Sequence, residues 1–153
     1  MIDEKNYPYD MSSIRHSARN IALLKKERER CIIWIPDKDC YMSCDVTQVS
    51  RKKSLELDVY RLVGFCICNK AESVIMMHNH PDDRCWASRE DIFTTNSLRE
   101  QLQEYNIKLL DALIITSDDM WSIAEHNWEY AEPKLFSEEY INRKKTKIFT
   151  DDY

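Results

Sequence analysis

Glu72-Ser73-Val74-Ile75-Met76-Met77-His78-Asn79-His80-Pro81-Asp82-Asp83-Arg84-Cys85-Trp86-Ala87-Ser88-Arg89-Glu90-Asp91 is the stretch whose reading decides the fold. It opens on a short apolar run that ends in two histidines one residue apart, and residues 72–80 read as a buried strand. Successive strand side chains point to opposite faces, so His78 and His80 project from the same side. Two imidazoles about 7 Å apart along a strand can lean toward one ion. A His-x-His pair alone is more often incidental than a metal site; the acid at Asp91 is what adds to it. Ser88, with an acid three residues on, resembles a capping box and marks a helix start. The two readings are compatible, because a helix beginning there can still turn Asp91 back toward the histidines. His78, His80 and Asp91 then make a two-histidine, one-carboxylate ligand set. Such a set leaves a fourth position for water, which is how catalytic zinc sites differ from closed structural ones.

Outward from this stretch the chain alternates helices and strands. Ser12 or Ser13 caps an expected helix running to about residue 26, with Ile14, Ala18, Ile21 and Ala22 facing inward. Residues 29–35 read as a strand and Pro36-Asp37-Lys38-Asp39 as a turn. Residues 40–50 are rich in strand formers, and Arg51-Lys52-Lys53 breaks them. A second helix is expected over 55–68, with Leu55, Val59, Leu62, Val63 and Cys66 on one face. A third is expected over 89–105, and a hairpin follows from 108–116 and 120–124 across Ser117-Asp118-Asp119. This order implies an α/β fold with a mixed β-sheet sandwiched by helices. Asp111 falls inside an apolar strand and must find partners if buried. The expected organisation is a flexible start at 1–11, a metal-binding domain at 12–128 and a C-terminal appendage at 129–153. In the appendage, Tyr130, Leu135, Phe136, Tyr140 and Ile141 can dock back onto the domain or onto a partner.

The run His78-Asn79-His80-Pro81, seven residues, then Ser88-Arg89-Glu90-Asp91 resembles the JAB/JAMM (MPN domain) metalloprotease motif, and His-Asn-His-Pro is closest to its RadC-like branch. The resemblance continues through Leu109-Leu110-Asp111-Ala112-Leu113-Ile114-Ile115 and Met120-Trp121-Ser122-Ile123-Ala124-Glu125, and backward to Glu29 at the head of the first core strand, a position for which Glu27, Glu56 and Glu72 are rivals. It covers about residues 12 to 126. The chain departs from the branch at Asp82-Asp83, where Ser-Gly is usual, and at Asp111-Ala112, where Asp-His is usual. Only one glycine, Gly64, occurs in the whole chain, so the loop after His80 has no residue that adopts positive φ cheaply. The resemblance implies a cytidine-deaminase-like architecture. It implies a zinc (Zn2+) hydrolase acting on a peptide or isopeptide-linked protein substrate, with His78, His80 and Asp91 as ligands and Glu29 as general base. It also implies that Ser88 donates to the oxyanion, a role that competes with its reading as a helix cap. Asp82 and Asp83 read as solvated loop acids, and His16 and His126 as surface histidines.

Composition fits an ordinary globular domain, at 43% apolar and 32% charged residues. A net charge of −5 argues against a protein whose main task is gripping phosphate backbones, so nucleic-acid binding is expected to be weak. The alternative to hydrolysis is a non-catalytic adaptor for nucleic acid or a protein, and its support is the basic clusters Lys25-Lys26, Arg28, Arg30 and Arg51-Lys52-Lys53. The longest apolar stretches, 62–68 and 73–77, are far too short to span a bilayer. Met1-Ile2-Asp3-Glu4-Lys5 carries no signal-peptide pattern, and the six cysteines form no CxxC pair, so a cytoplasmic protein with reduced thiols is expected.

Overall fold

The computed structural model describes residues 6–24, 30–45, 48–49, 52–53, 59–80, 84–117 and 119–131. Three helices, α1 (Met11–Leu24), α2 (Val59–Cys68) and α3 (Arg89–Gln103), accompany a five-stranded sheet. Its strands are β1 (Arg30–Ile35), β2 (Cys40–Asp45), β5 (Ser73–Asn79), β6 (Lys108–Ile115) and β7 (Met120–Ser122), in the order β2-β1-β5-β6-β7. Two short strands, β3 (Gln48–Val49) and β4 (Lys52–Lys53), pair with each other. The sheet is mixed. β5 and β6 are parallel, joined by the α3 crossover that parallel strands require, and the other neighbours are antiparallel.

Alternation along the strands builds two cores. Cys31, Ile33 and Ile35 of β1, Val74 and Met76 of β5, and Leu109, Ala112 and Ile114 of β6 face α2 and α3, where Leu62, Val63, Cys66, Leu98 and Leu102 meet them. The intervening residues Ile32, Trp34, Ile75, Met77, Leu113 and Ile115 face Ile14 of α1, with Tyr7, Tyr9 and Met11 packed alongside. The sheet is therefore sandwiched by helices, as its sequence pattern implied. No helix of the described residues is long and apolar enough to cross a membrane.

Local details depart from the sequence reading for identifiable reasons. The first helix is capped by Asp10 rather than by Ser12 or Ser13. The Asp10 carboxylate accepts from Ser12 N at 2.9 Å and from the Ser13 hydroxyl at 3.1 Å, so the serines serve as donors in the first turn. Lys52 and Lys53 do not simply end the β-rich stretch; they pair across to Val49 and Gln48. The register between β5 and β6 slips after Val74, so Leu109 pairs with Val74 and Asp111 with Ile75. The extra residue, Leu110, turns Asp111 to the α1 face, where it is 1% exposed. There it accepts from the Tyr7 hydroxyl at 2.6 Å, the Ser122 hydroxyl at 2.5 Å, Ala112 N at 2.7 Å and Ala124 N at 3.0 Å. Burial raises the Asp111 carboxyl, and these four donors oppose the rise. Beyond β7 a short 3-10 turn, Ala124–His126, leads the chain back over α3. Asn96 donates to the Trp128 carbonyl at 3.0 Å, the Arg99 guanidinium lies 4.1 Å from the Trp128 ring, and that of Arg89 lies 4.0 Å from the Tyr130 ring.

Candidate metal centre

β5 ends at the head of α3, and that junction assembles the site. His78 and His80 lie on the α2/α3 face of β5, in the parity of Val74 and Met76. His80 is anchored just past the strand end by its N–H to the Ile115 carbonyl at 2.9 Å. Ser88 starts α3 with a complete capping box: Asp91 N donates to Ser88 Oγ at 3.0 Å, and Ser88 N donates to Asp91 Oδ2 at 2.9 Å. The box fixes the Asp91 carboxylate beside the histidines. The acid therefore serves both the helix start and the cluster, as the sequence allowed.

The three donor groups converge on one point. His78 Nε2 and His80 Nε2 stand 3.1 Å apart, His80 Nε2 and Asp91 Oδ2 3.1 Å, and His78 Nε2 and Asp91 Oδ1 3.4 Å. Donors held at about 2.0–2.1 Å from one ion in a tetrahedron stand about 3.3 Å from each other, and each of the three separations is close to that, the two Asp91 edges being made by different carboxylate oxygens. The tautomer also fits. His80 Nδ1 lies 2.7 Å from the Arg84 carbonyl, which can only accept, so Nδ1 carries the ring proton and Nε2 presents its lone pair. Burial would raise the Asp91 carboxyl, but where protons rather than a metal ion occupy the His78 and His80 Nε2 atoms, hydrogen bonds and charge from the two rings outweigh burial and hold the group well below the usual carboxylate range. With those protons gone, the ionised carboxylate and the His80 lone pair face a shared cation position. Among the described residues, this is the group of histidine, cysteine and acidic side chains that could hold a metal ion.

Of the expected site residues, His78, His80, Asp91 and Ser88 are brought together, while Glu29 lies outside the described residues, as do Asp82, Asp83, Lys25, Lys26, Arg28 and Arg51. Arg30, one residue after Glu29, is tied to the site strand by its N–H to Asn79 Oδ1 at 2.5 Å. Asn79 stands between the two histidines in the sequence, but its residue type alone does not signal that role. The Arg84 carbonyl could not have been found, because a backbone acceptor leaves no residue-type signal. His126 is half-buried rather than a free surface histidine. It stacks on Trp121 at 3.9 Å between ring centroids, with Nδ1 2.8 Å from the Ser122 carbonyl.

Residues 10–128 match the RadC-like JAB domain. The chain belongs to the RadC-like JAB domain family. Similar proteins include UPF0758 proteins. One from Pseudomonas fluorescens is 36% identical over 68 residues, 44% of this chain and 30% of the relative. One from Streptococcus suis is 37% identical over 66 residues, 43% of this chain and 27% of the relative. A third, from Fusobacterium nucleatum, is 31% identical over 80 residues, 52% of this chain and 33% of the relative. The matched part thus covers about a third or less of each relative's own length.

Within this RadC-like domain the capping box can be weighed separately from the ligand cluster. Ser88→Ala removes the oxygen that accepts from Asp91 N, and should cost about 0.5–2 kcal/mol of stability. Urea unfolding of the metal-free chain measures it, and an unchanged midpoint would show that the cap contributes nothing.

Proposed function

We propose that this domain is a zinc-dependent hydrolase of the JAMM type that cleaves a peptide or isopeptide bond. The observation that carries the proposal is the His78–His80–Asp91 triangle, with three protein donors and none from a fourth residue among those described. Family membership supports the same reading. His78, His80 and Asp91 would hold the ion. A zinc ion bound there supplies a Lewis acid that makes water nucleophilic near neutral pH.

The remaining chemistry falls to the chain's own side chains. Glu29 takes the proton of the attacking water and returns it to the leaving amine, which a carboxylate within hydrogen-bond reach can do. Support for this role is the family resemblance, which puts Glu29 at the head of the first core strand. Ser88 Oγ accepts from Asp91 N, which leaves its hydroxyl proton to donate to the oxyanion of the tetrahedral intermediate. Cap and oxyanion donor are thus compatible roles for one hydroxyl.

Removal and return of the metal tests the reading. The chelator-treated chain should be inert toward both peptide bonds and lysine isopeptide bonds, and one equivalent of Zn2+ should restore cleavage of one class. A zinc-loaded chain that cleaves neither class would sink the hydrolase and put the adaptor in its place.

A further inference from the structure

We infer that Thr95 is a positioning residue for the metal centre, holding the His78 ring through its Nδ1; the inference rests on the reading of His78 as a ligand. Two side-chain atoms in the interior carry the case. His78 is 2% exposed and Thr95 1% exposed, and among the described residues neither His78 Nδ1 nor Thr95 Oγ1 has a hydrogen-bond partner. A buried N–H and a buried hydroxyl left without partners each cost free energy, and these two are linked through Asp91, which touches His78 and lies one helical turn before Thr95.

Their placement follows from the course of α3. Asp91 reaches His78 Nε2 from α3 at 3.4 Å. Thr95 lies four residues later on the same helix, so its side chain sits on the Asp91 face, with Cβ atoms about 5–6 Å apart. Since α3 returns from the end of β5 to the start of parallel β6, it runs antiparallel to both strands and packs against β6, the neighbour of β5. One helical turn rises about 5.4 Å, or between one and two strand residues. That step moves from the level of His80 and His78 toward that of Met76, which is the direction in which Thr95 can approach the His78 ring from the side away from His80.

The chemistry of a histidine ligand completes the case. When Nε2 faces the cation, Nδ1 carries the ring proton and needs an acceptor. His80 has one in the Arg84 carbonyl. Cys31, across the strand pair from His78, offers only a weakly accepting sulfur. The Thr95 hydroxyl accepts the Nδ1–H, after rotation about χ1 or through one buried water, and so fixes the tautomer that aims the Nε2 lone pair at the ion.

The test uses Zn2+ alone as the probe, titrated into the full chain against a competing chelator. Thr95→Val keeps the shape and removes the oxygen, and should weaken zinc binding by about 10–100-fold. Thr95→Ser should restore it, and Thr95→Ala should weaken it as Val does. The metal-free Thr95→Val chain should melt no lower than wild type, since it replaces an unpartnered hydroxyl with a methyl group. In the zinc-loaded chain, the His78 Nδ1 proton should give a slowly exchanging NMR signal in wild type and Thr95→Ser, and lose it in Thr95→Val. Wild-type affinity with an unchanged Nδ1 signal in Thr95→Val would overturn the inference and leave the metal site standing. Absence of zinc binding by wild type would remove both.

Discussion

Glu29→Gln should keep its zinc and lose hydrolysis by about 10²–10⁴-fold, the range in which a positioned general base contributes. Glutamine keeps the length and hydrogen-bonding of the side chain but cannot carry the proton from water to the leaving amine. The ligand triangle closes without Glu29, because its three edges are made by His78, His80 and Asp91. Metal content and rate therefore separate. Zinc retained with activity lost assigns the base. Zinc lost assigns Glu29 to the ligands and contradicts its proposed role. A Glu56→Gln chain that is inactive while Glu29→Gln is active would show that the first core strand had been aligned on the wrong acid.

The parts of the fold that were legible in the sequence are those set by local periodicity. β5 could be read because four apolar residues, Val74 to Met77, followed by His78, alternate faces under helices on both sides. α3 could be read because Ser88 and Asp91 signal its start and Leu98 and Leu102 its buried stripe. The site inherited that legibility, since two ligands come from the strand and the third from the cap. What stayed hidden depends on partners distant in sequence or on backbone atoms. Tyr7 bonds to Asp111 across 104 residues, and nothing near Tyr7 announces it. The β5–β6 register slip that turns Asp111 to the α1 face arises between strands and shows in neither strand alone. Trp128 and Tyr130 lie against Arg99 and Arg89 of α3, contacts that composition cannot place. Asp10 outcompeted two serines for the first helix cap because its carboxylate reaches both the Ser12 amide and the Ser13 hydroxyl.

The largest effect on binding is expected at the two histidines. Each supplies one corner of the triangle, and His78 is buried, so neither corner can be replaced by another described histidine, cysteine or acid. Asp91 alone would remain, as a carboxylate engaged by the Ser88 cap. A single carboxylate does not retain zinc against a chelator, whereas three donors of this type do. The measurement is the metal content of the purified chain, wild type beside the His78→Ala/His80→Ala double variant, after identical exposure to Zn2+ and to chelator. The account predicts about one zinc per wild-type chain and none in the double variant, with helix and strand content preserved. Full metal retention in the double variant would contradict the assignment of this site.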